Sequence, residues 1–442
     1  MGAGGGVRAT AARVVQSTLA GLRSAETSLA RASVGLDERD RRLLAELAYG
    51  TLRWRARLEW VIERASGRGL GKIDAELVPV LAVAVFQLLF LDRIPAHAAV
   101  SEAVDEARRR RGRPAAGFVN AVLRRIAREP ALAGWPVEIA DPVRRLAVEQ
   151  SHPEALVRRW AERFGLEAAQ RMAAAGNAPR DLHLLAFADR GGRDALADRL
   201  AGEGIATDPA PLSPLGLVVR SGRPLESAAF REGDFYVQDE ASQAAALVPA
   251  PRPGERVLDA AAAPGGKGLA LIAAEPRARV VFAEGSSVRV GRLRTNLRRL
   301  GRTLPIVVAS ALEPPWRGGF DRVVLDAPCT GTGTLRRHPE LRWRFRVAEL
   351  ERLAAASLAM LEALSRAVAA GGLLVHVTCS VETEENERTV DRFLAAHDEF
   401  APAPLEELAP SLQPGRLAPG RWRVLPGEGH DGFSVAVLRR AR

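Results

Sequence analysis

Cysteine and lysine are almost missing from this 442-residue chain, which holds two of the first, Cys329 and Cys379, and two of the second, Lys72 and Lys267. Two cysteines exclude a disulfide-stapled scaffold and leave free thiols as the simple expectation. Nearly all positive charge is therefore arginine, so each remaining lysine invites a specific reading. Long apolar runs are missing too. The longest, Leu77–Leu91, has 15 residues and is interrupted by Pro79 and Gln87, short of the ~20 needed to span a bilayer. The opening MGAGGGVRAT lacks the apolar core of a secretory signal, and its Gly6 stands where an N-myristoylation signal has Ser or Thr. A cytoplasmic protein without a membrane partner is expected. Internal repeats and low-complexity tracts are also absent.

The residues present argue for a folded, multidomain chain. Hydrophobic residues make up 47% and charged residues 26%, which excludes general disorder. At roughly 100–200 residues per domain, the length allows two to four domains. The net charge is +10, and residues 1–150 carry +7 of it, with 24 basic against 17 acidic side chains. That excess favours a polyanionic partner.

Helical spacing of apolar residues predicts helices over Val7–Ala20, Asp40–Val61, Leu77–Leu91, Val100–Arg110 and Phe118–Arg128. Leu77–Leu91 is apolar nearly all round, as the buried helix of a bundle would be. Trp135-Pro136 and Asp141-Pro142 read as connector. Residues 143–175 read as helical again, with Pro153 in a first turn. Short strands follow at Leu182–Phe187, Leu217–Arg220 and Phe235–Val237, with a helix at Arg193–Ala201. From residue 241 strand and helix alternate. Strands are expected at Arg256–Asp259, Arg279–Glu284, Pro305–Ala309, Asp321–Asp326 and Leu373–Thr378. Helices are expected from Lys267, at Ser287–Leu300 and at Val347–Ala370. Repeated strand–helix units imply a mostly parallel, doubly wound sheet whose ligands sit at the carboxyl ends of the strands. The expected domains are 1–140, all-α; 141–240, a small α/β module; and 241–442, a Rossmann-like α/β domain.

Every chemically suggestive motif falls at one of those strand ends. Asp259-Ala260-Ala261-Ala262-Ala263-Pro264-Gly265-Gly266-Lys267 combines small residues, paired glycines and a helix start, so a ligand can approach the backbone and its free N–H groups. It is neither a Walker loop nor Gly-x-Gly-x-x-Gly. Glu284 lies 25 residues beyond Asp259, at the second strand end, where a carboxylate typically holds ribose hydroxyls. Asp326-Ala327-Pro328-Cys329 and Thr378-Cys379-Ser380 bring both cysteines of the chain to neighbouring strand ends. The run Glu384-Glu385-Asn386-Glu387 follows.

The N-terminal pattern Phe86–Pro95, Ala98, Glu102-Ala103-Val104 and Phe118–Leu123 resembles the NusB family of RNA-binding helical domains. That resemblance implies RNA binding, with Arg108–Arg111 and Arg113 facing phosphate. Residues 150–440 resemble the NOL1/NOP2/Sun family of RNA cytosine-C5 methyltransferases. The matching segments are Asp259–Lys267, Asp326–Gly333, Thr378–Ser380, Phe235–Ser242 and His338-Pro339-Glu340. Together the two halves resemble bacterial family members that act on 16S rRNA. The resemblance implies S-adenosylmethionine as cofactor, held by Ala261, Ala262, Ala263, Pro264, Gly265, Gly266, Lys267, Glu284, Ser310 and Asp326. It implies 16S rRNA, or an assembling small subunit, as partner and no metal.

Methylating cytosine C5 asks for a thiolate that adds at C6, an acid near N3 and an in-line methyl donor. From chemistry either cysteine qualifies. A Pro-Cys nucleophile, as in DNA cytosine-C5 enzymes, would be Cys329. The resemblance to the RNA family assigns attack to Cys379 and adduct release to Cys329. Asp326 is the group at the cytosine N3/N4 edge, and Lys267 orients it or the base. The family's usual residues differ at four positions: Cys at 261, Thr or Ser at 268, Asp at 284 and Asp at 310. An unpaired or flipped-out cytosine is required, and Arg342, Trp343 and Arg344 are expected at a stacking and phosphate lip. The alternatives are an RNA-binding assembly factor with a decayed site, and the same chemistry on tRNA.

Overall fold

A computed structural model describes residues 6–134, 136–249, 251–408 and 415–441. Met1–Gly5 and the expected connector residue Trp135 lie outside the described residues. The chain divides into two compact units: residues 1–177 with 337–345, and residues 178–336 with 346–442.

The first unit is helical. Its main elements are α1 (Val7–Leu19), α2 (Ala25–Ala32), α3 (Glu38–Arg53), α4 (Arg55–Ser66), α5 (Val78–Phe90), α6 (Ala96–Arg128), α7 (Pro142–Glu149), α8 (Glu154–Phe164) and α9 (Leu166–Asn177). Starts are set locally: Ser24 caps α2, Asp37 caps α3 and Asp141 caps α7, each accepting from a free N–H of the first turn. The apolar α5 is the centre of the bundle, buried continuously from Pro79 to Gln87. A Cβ at Gly50 of α3 would stand 2.0 Å from the Phe86 ring, so only glycine admits this close approach.

The expected helix Asp40–Val61 is two helices, broken at Trp54, whose φ/ψ of −97°/14° is not helical. The expected pair about residues 100–128 is one run kinked at Gly112, with φ 78° and ψ −170°. Pro114 then falls in the opening turn of the second segment, where its missing N–H costs nothing. Pro153 precedes α8 as its N-cap residue rather than lying inside it.

The arginine run of α6 is largely ion-paired. Arg108 meets Asp105, Arg109 and Arg110 share Glu106, and Arg111 meets Asp74 and Glu76. Glu106 is buried; although burial opposes its charge, the two guanidiniums hold its carboxyl below the usual range.

The second unit begins with an antiparallel sheet of β1 (His183–Ala186), β2 (Ala206–Pro209), β3 (Gly216–Ser221) and β4 (Phe235–Val237), ordered β2-β3-β1-β4. Helix α10 (Gly192–Gly202) covers it. Strand β2 was not legible in the sequence: Ala206 and Asp208 are exposed and no apolar alternation marks it.

Helix α11 (Glu240–Leu247) leads into β5 (Arg256–Asp259), α12 (Gly266–Ala274), β6 (Arg279–Ala283), α13 (Ser287–Arg299), β7 (Ile306–Val307), β8 (Phe320–Asp326), α14 (Val347–Ser365), β9 (Val368–Thr378) and α15 (Glu387–Ala396). Strands β10 (Phe400–Pro402), β11 (Arg416–Ala418), β12 (Arg421–Val424) and β13 (Phe433–Arg440) follow. The large sheet runs β11-β12-β13-β9-β8-β5-β6-β7, with β10 paired to β13.

The pairings of β5 through β9 are parallel, as expected. The C-terminal strands are antiparallel, β13 pairing with β9 from Ser434↔Thr378 to Arg439↔Leu373. The sheet is therefore mixed. The helix expected to reach Ala370 stops at Ser365, and residues from Val368 pair with Phe320 instead. Alanine-rich sequence favours helix there, and sheet pairing overrides it. The connection order reverses at β5, so its carboxyl end beside β8 is the crevice such sheets use for ligands.

Candidate active site

Asp259 ends β5 at that crevice. It is fully buried; Oδ2 accepts the Gly268 N–H at 2.8 Å, while Oδ1 has no hydrogen-bond partner among the described residues. Burial pushes its carboxyl up to about 7, against the Gly268 bond. The turn that follows is shaped for glycine. Gly265 has φ 113°, and a Cβ there would stand 2.8 Å from Leu293 Cδ1. At Gly268 a Cβ would meet the buried Phe282 ring at 2.4 Å and Asp259 Oδ2 at 3.0 Å. The family's usual Thr or Ser therefore has no room here, because Phe282 fills the space.

The expected cofactor residues gather around this turn. Glu284, beyond β6, is buried and accepts from Ala263 N–H at 3.3 Å and Ser286 N–H at 3.0 Å, with Arg289 Nη1 3.5 Å away. Arg289 also donates to the Ala263 carbonyl, and Asn296 to that of Pro264. Ser310 is exposed after β7; its hydroxyl accepts the Leu312 N–H, and its Cα lies 3.7 Å from the position a Gly285 Cβ would take. Ala261–Lys267, Glu284 and Ser310 thus line the ends of adjacent parallel strands.

Lys267, in the first turn of α12, is buried. Its ammonium donates to Ser242 Oγ at 3.1 Å and Asp326 Oδ2 at 3.3 Å, and lies 4.7 Å from the centroid of the Phe433 ring. Asp326 keeps 38% of its side chain exposed, so one carboxylate is both anchored and open. Ser242 had no assigned role in the sequence, although the Phe235–Ser242 segment that carries it did.

Strands β8 and β9 align Asp326 with Val377, which puts the residues following both strands side by side. Cys329 and Cys379 are free, half-buried thiols, their sulfurs 3.4 Å apart. The contact with Cys379, then burial, push the Cys329 thiol well above the ordinary thiol range. A buried polar lattice secures the two loops. Gly333 N–H donates to the Cys379 carbonyl at 2.9 Å, and Thr332 Oγ1 lies 3.2 Å from Ser380 Oγ. Asn386 accepts from Thr378 Oγ1 and donates to the carbonyls of Ser380 and Glu382. Glu385 accepts from both N–H and hydroxyl of Thr330, each at 2.7 Å. The acidic run after Cys379 would ordinarily be read as a solvated face, yet Glu382, Glu384, Glu385 and Asn386 are all buried.

The expected phosphate lip is not formed. Segment 337–345 belongs to the helical unit. Arg342 is wholly buried there, donating to the carbonyls of Arg53, Ser151 and Gly176 and to Asn177 Oδ1. Trp343 gives its indole N–H to the Leu52 carbonyl, and Arg344 donates to the carbonyls of Thr18 and Arg23. Both terminal nitrogens of Arg342, the Trp343 indole N–H and Arg344 Nη2 are thus spent on oxygens inside the helical unit. Among the described residues no helix is long and apolar enough to cross a membrane, and no cluster of His, Cys, Asp and Glu could hold a metal ion.

Comparison with known proteins gives three matching family models: NusB family over residues 7–128, a ferredoxin-like domain of RsmF/B-like methyltransferases over 152–226, and 16S rRNA methyltransferase RsmB/F over 246–439. A ribosomal RNA small subunit methyltransferase B of Pseudomonas putida is 36% identical, covering 98% of both chains. A probable ribosomal RNA small subunit methyltransferase B of Bacillus subtilis is 33% identical over 92% of each. The crystal structure of PH0851 superposes with a TM-score of 0.77 at 25% identity, covering 98% of this chain and 99% of that one.

Proposed function

The chain belongs to the 16S rRNA methyltransferase RsmB/F family and is an rRNA methyltransferase that uses S-adenosylmethionine; from that premise we propose that it methylates C5 of one cytosine in 16S rRNA through a cysteine–C6 adduct. The observation that carries this reading is the pair of sulfurs 3.4 Å apart at neighbouring strand ends, next to an Asp326 held by Lys267. Cytosine C5 is too weak a nucleophile to take a methyl group unaided, and thiolate addition at C6 makes it enamine-like.

In this reading Cys379 is the nucleophile. The Cys329 sulfur lies against it at 3.4 Å, and Cys329 holds its own proton above the ordinary range. Asp326 meets the N3/N4 edge of the base, and the Lys267 ammonium orients it. When bound, the cofactor supplies an electrophilic methyl group to C5. Cys329 then releases its proton to solvent, and its thiolate accepts the C5 proton as the C6–S bond breaks and the Cys379 thiolate departs.

The turn offers the cofactor a buried Asp259 oxygen that has no hydrogen-bond partner among the described residues. Ala261, Ala262, Ala263, Pro264, Gly265, Gly266, Lys267, Glu284, Ser310 and Asp326 are the residues assigned to hold it. The proposed division of labour is 1–140 and 141–240 for RNA and 241–442 for methyl transfer, in the cytoplasm, on free 16S rRNA or an assembling subunit. The test is a pair of variants. Cys379→Ala abolishes turnover while cofactor affinity stays within about two-fold. Cys329→Ala accumulates a protein–RNA adduct that survives a denaturing gel. Turnover by Cys379→Ala contradicts the assignment.

A further inference from the structure

Glu385 takes no part in the scheme above, yet it joins the two loops that carry it out. It lies six residues past Cys379, between β9 and α15, and is 1% exposed. Oε1 accepts the Thr330 N–H and Oε2 the Thr330 hydroxyl, both at 2.7 Å. Thr330 follows Cys329, and Glu385 itself stands in the segment that follows Cys379, so one carboxylate ties the peptide next to one sulfur to the loop that carries the other.

The other ties between these loops act further along the chain. Gly333 reaches the Cys379 carbonyl, and Thr332 reaches Ser380 and Val381. These bonds fix the far end of the Cys329 loop. The Glu385 bonds fix the peptide that sets where the Cys329 sulfur points. Burying a carboxylate is costly, and burial pushes this one up to about 7, with the Thr330 bonds opposing it. A neutral apolar residue would carry no such cost, but it would leave the Thr330 N–H and hydroxyl without this acceptor. The placement therefore makes sense as alignment rather than as a gain in stability.

We infer that Glu385 is a positioning residue that holds the Cys329 thiol against the Cys379 sulfur for breakdown of the RNA adduct. This rests on the proposed release role of Cys329. Glutamine keeps one acceptor oxygen where glutamate offers two, so Glu385→Gln loosens the grip without emptying the site. Thr330→Val removes only the hydroxyl.

The experiment follows adduct and product with the full chain, S-adenosylmethionine and unmodified 16S rRNA, with Cys329→Ala run alongside. Glu385→Gln is expected to lower kcat about ten-fold or more, change KM and cofactor affinity less than about two-fold, and accumulate the adduct band. Thr330→Val gives a weaker effect of the same kind and remains informative where Glu385→Gln does not fold. General loosening of the fold would instead depress adduct formation and release together. If Cys329→Ala accumulates adduct while neither Glu385→Gln nor Thr330→Val does, the positioning role is overturned and the Cys329 assignment stands. If Cys329→Ala accumulates none, the release assignment fails and the inference falls with it.

Discussion

Gly268→Ala measures how tightly the turn proposed to hold the cofactor is built. In an ordinary helix the exchange would stabilise the protein by about 1 kcal/mol, since glycine is the weaker helix former. Here the added Cβ would stand 2.4 Å from Phe282 Cε1, 2.8 Å from its Cζ and 3.0 Å from Asp259 Oδ2. Phe282 is fully buried within the core that also holds Leu269, Leu271 and Val257, so the ring cannot swing aside freely. Overpacking costs about 1–3 kcal/mol, and contacts this short with a fully buried ring place the exchange in the upper part of that range, about 2–3 kcal/mol, which outweighs the propensity gain. The net expectation is a loss of about 1–2 kcal/mol, read as a fall in Tm of roughly 2–8 °C. Phe282→Leu supplies the control. It destabilises alone, but in the double variant it relieves the clash, so the two changes couple by about 1 kcal/mol in the rescuing direction. Thermal unfolding of the four proteins decides the matter. Equal or higher stability of Gly268→Ala refutes the packing argument and leaves the glycine at this position unexplained.

Two further expectations concern buried charge. The Asp259 carboxyl, raised to about 7 by burial, binds a proton in the folded protein that the unfolded chain releases near pH 4. Its stabilising contribution is complete below about pH 4 and is lost as pH rises through about 7, by roughly 4 kcal/mol at most. Asp259→Asn removes that decline, so unfolding series from pH 4 to 8 should diverge; parallel series contradict the assignment. Arg342, whose pKa burial lowers to about 9, satisfies four oxygens inside the helical unit, so Arg342→Ala should cost about 3 kcal/mol or more. Hydrogen exchange should localise the loss of protection to residues 142–177, and Arg342→Lys should not restore it, because an ammonium lacks the planar fork.

The parts of the site written into contiguous sequence were legible. The small-residue turn after Asp259, the second-strand Glu284 and the cysteines after β8 and β9 each follow an apolar strand, and the parallel topology collects them. What escaped was set by distant partners. Arg342-Trp343-Arg344 has the composition of a nucleic-acid surface, but its donors are claimed by carbonyls up to 326 positions away. Glu385 reads as one solvated acid in a run of them, and only pairing of β8 with β9 brings Thr330 to it. The antiparallel C-terminal strands escaped differently: β13 is buried from Phe433 to Leu438 without alternation, and such a run has no periodic signature.

Transfer of labelled methyl from S-adenosylmethionine to unmodified 16S rRNA, with the labelled base mapped, tests the central claim most directly. Label at C5 of one cytosine is the predicted result. Label on another atom or base, or none on free rRNA, small subunits or tRNA from folded protein, contradicts it.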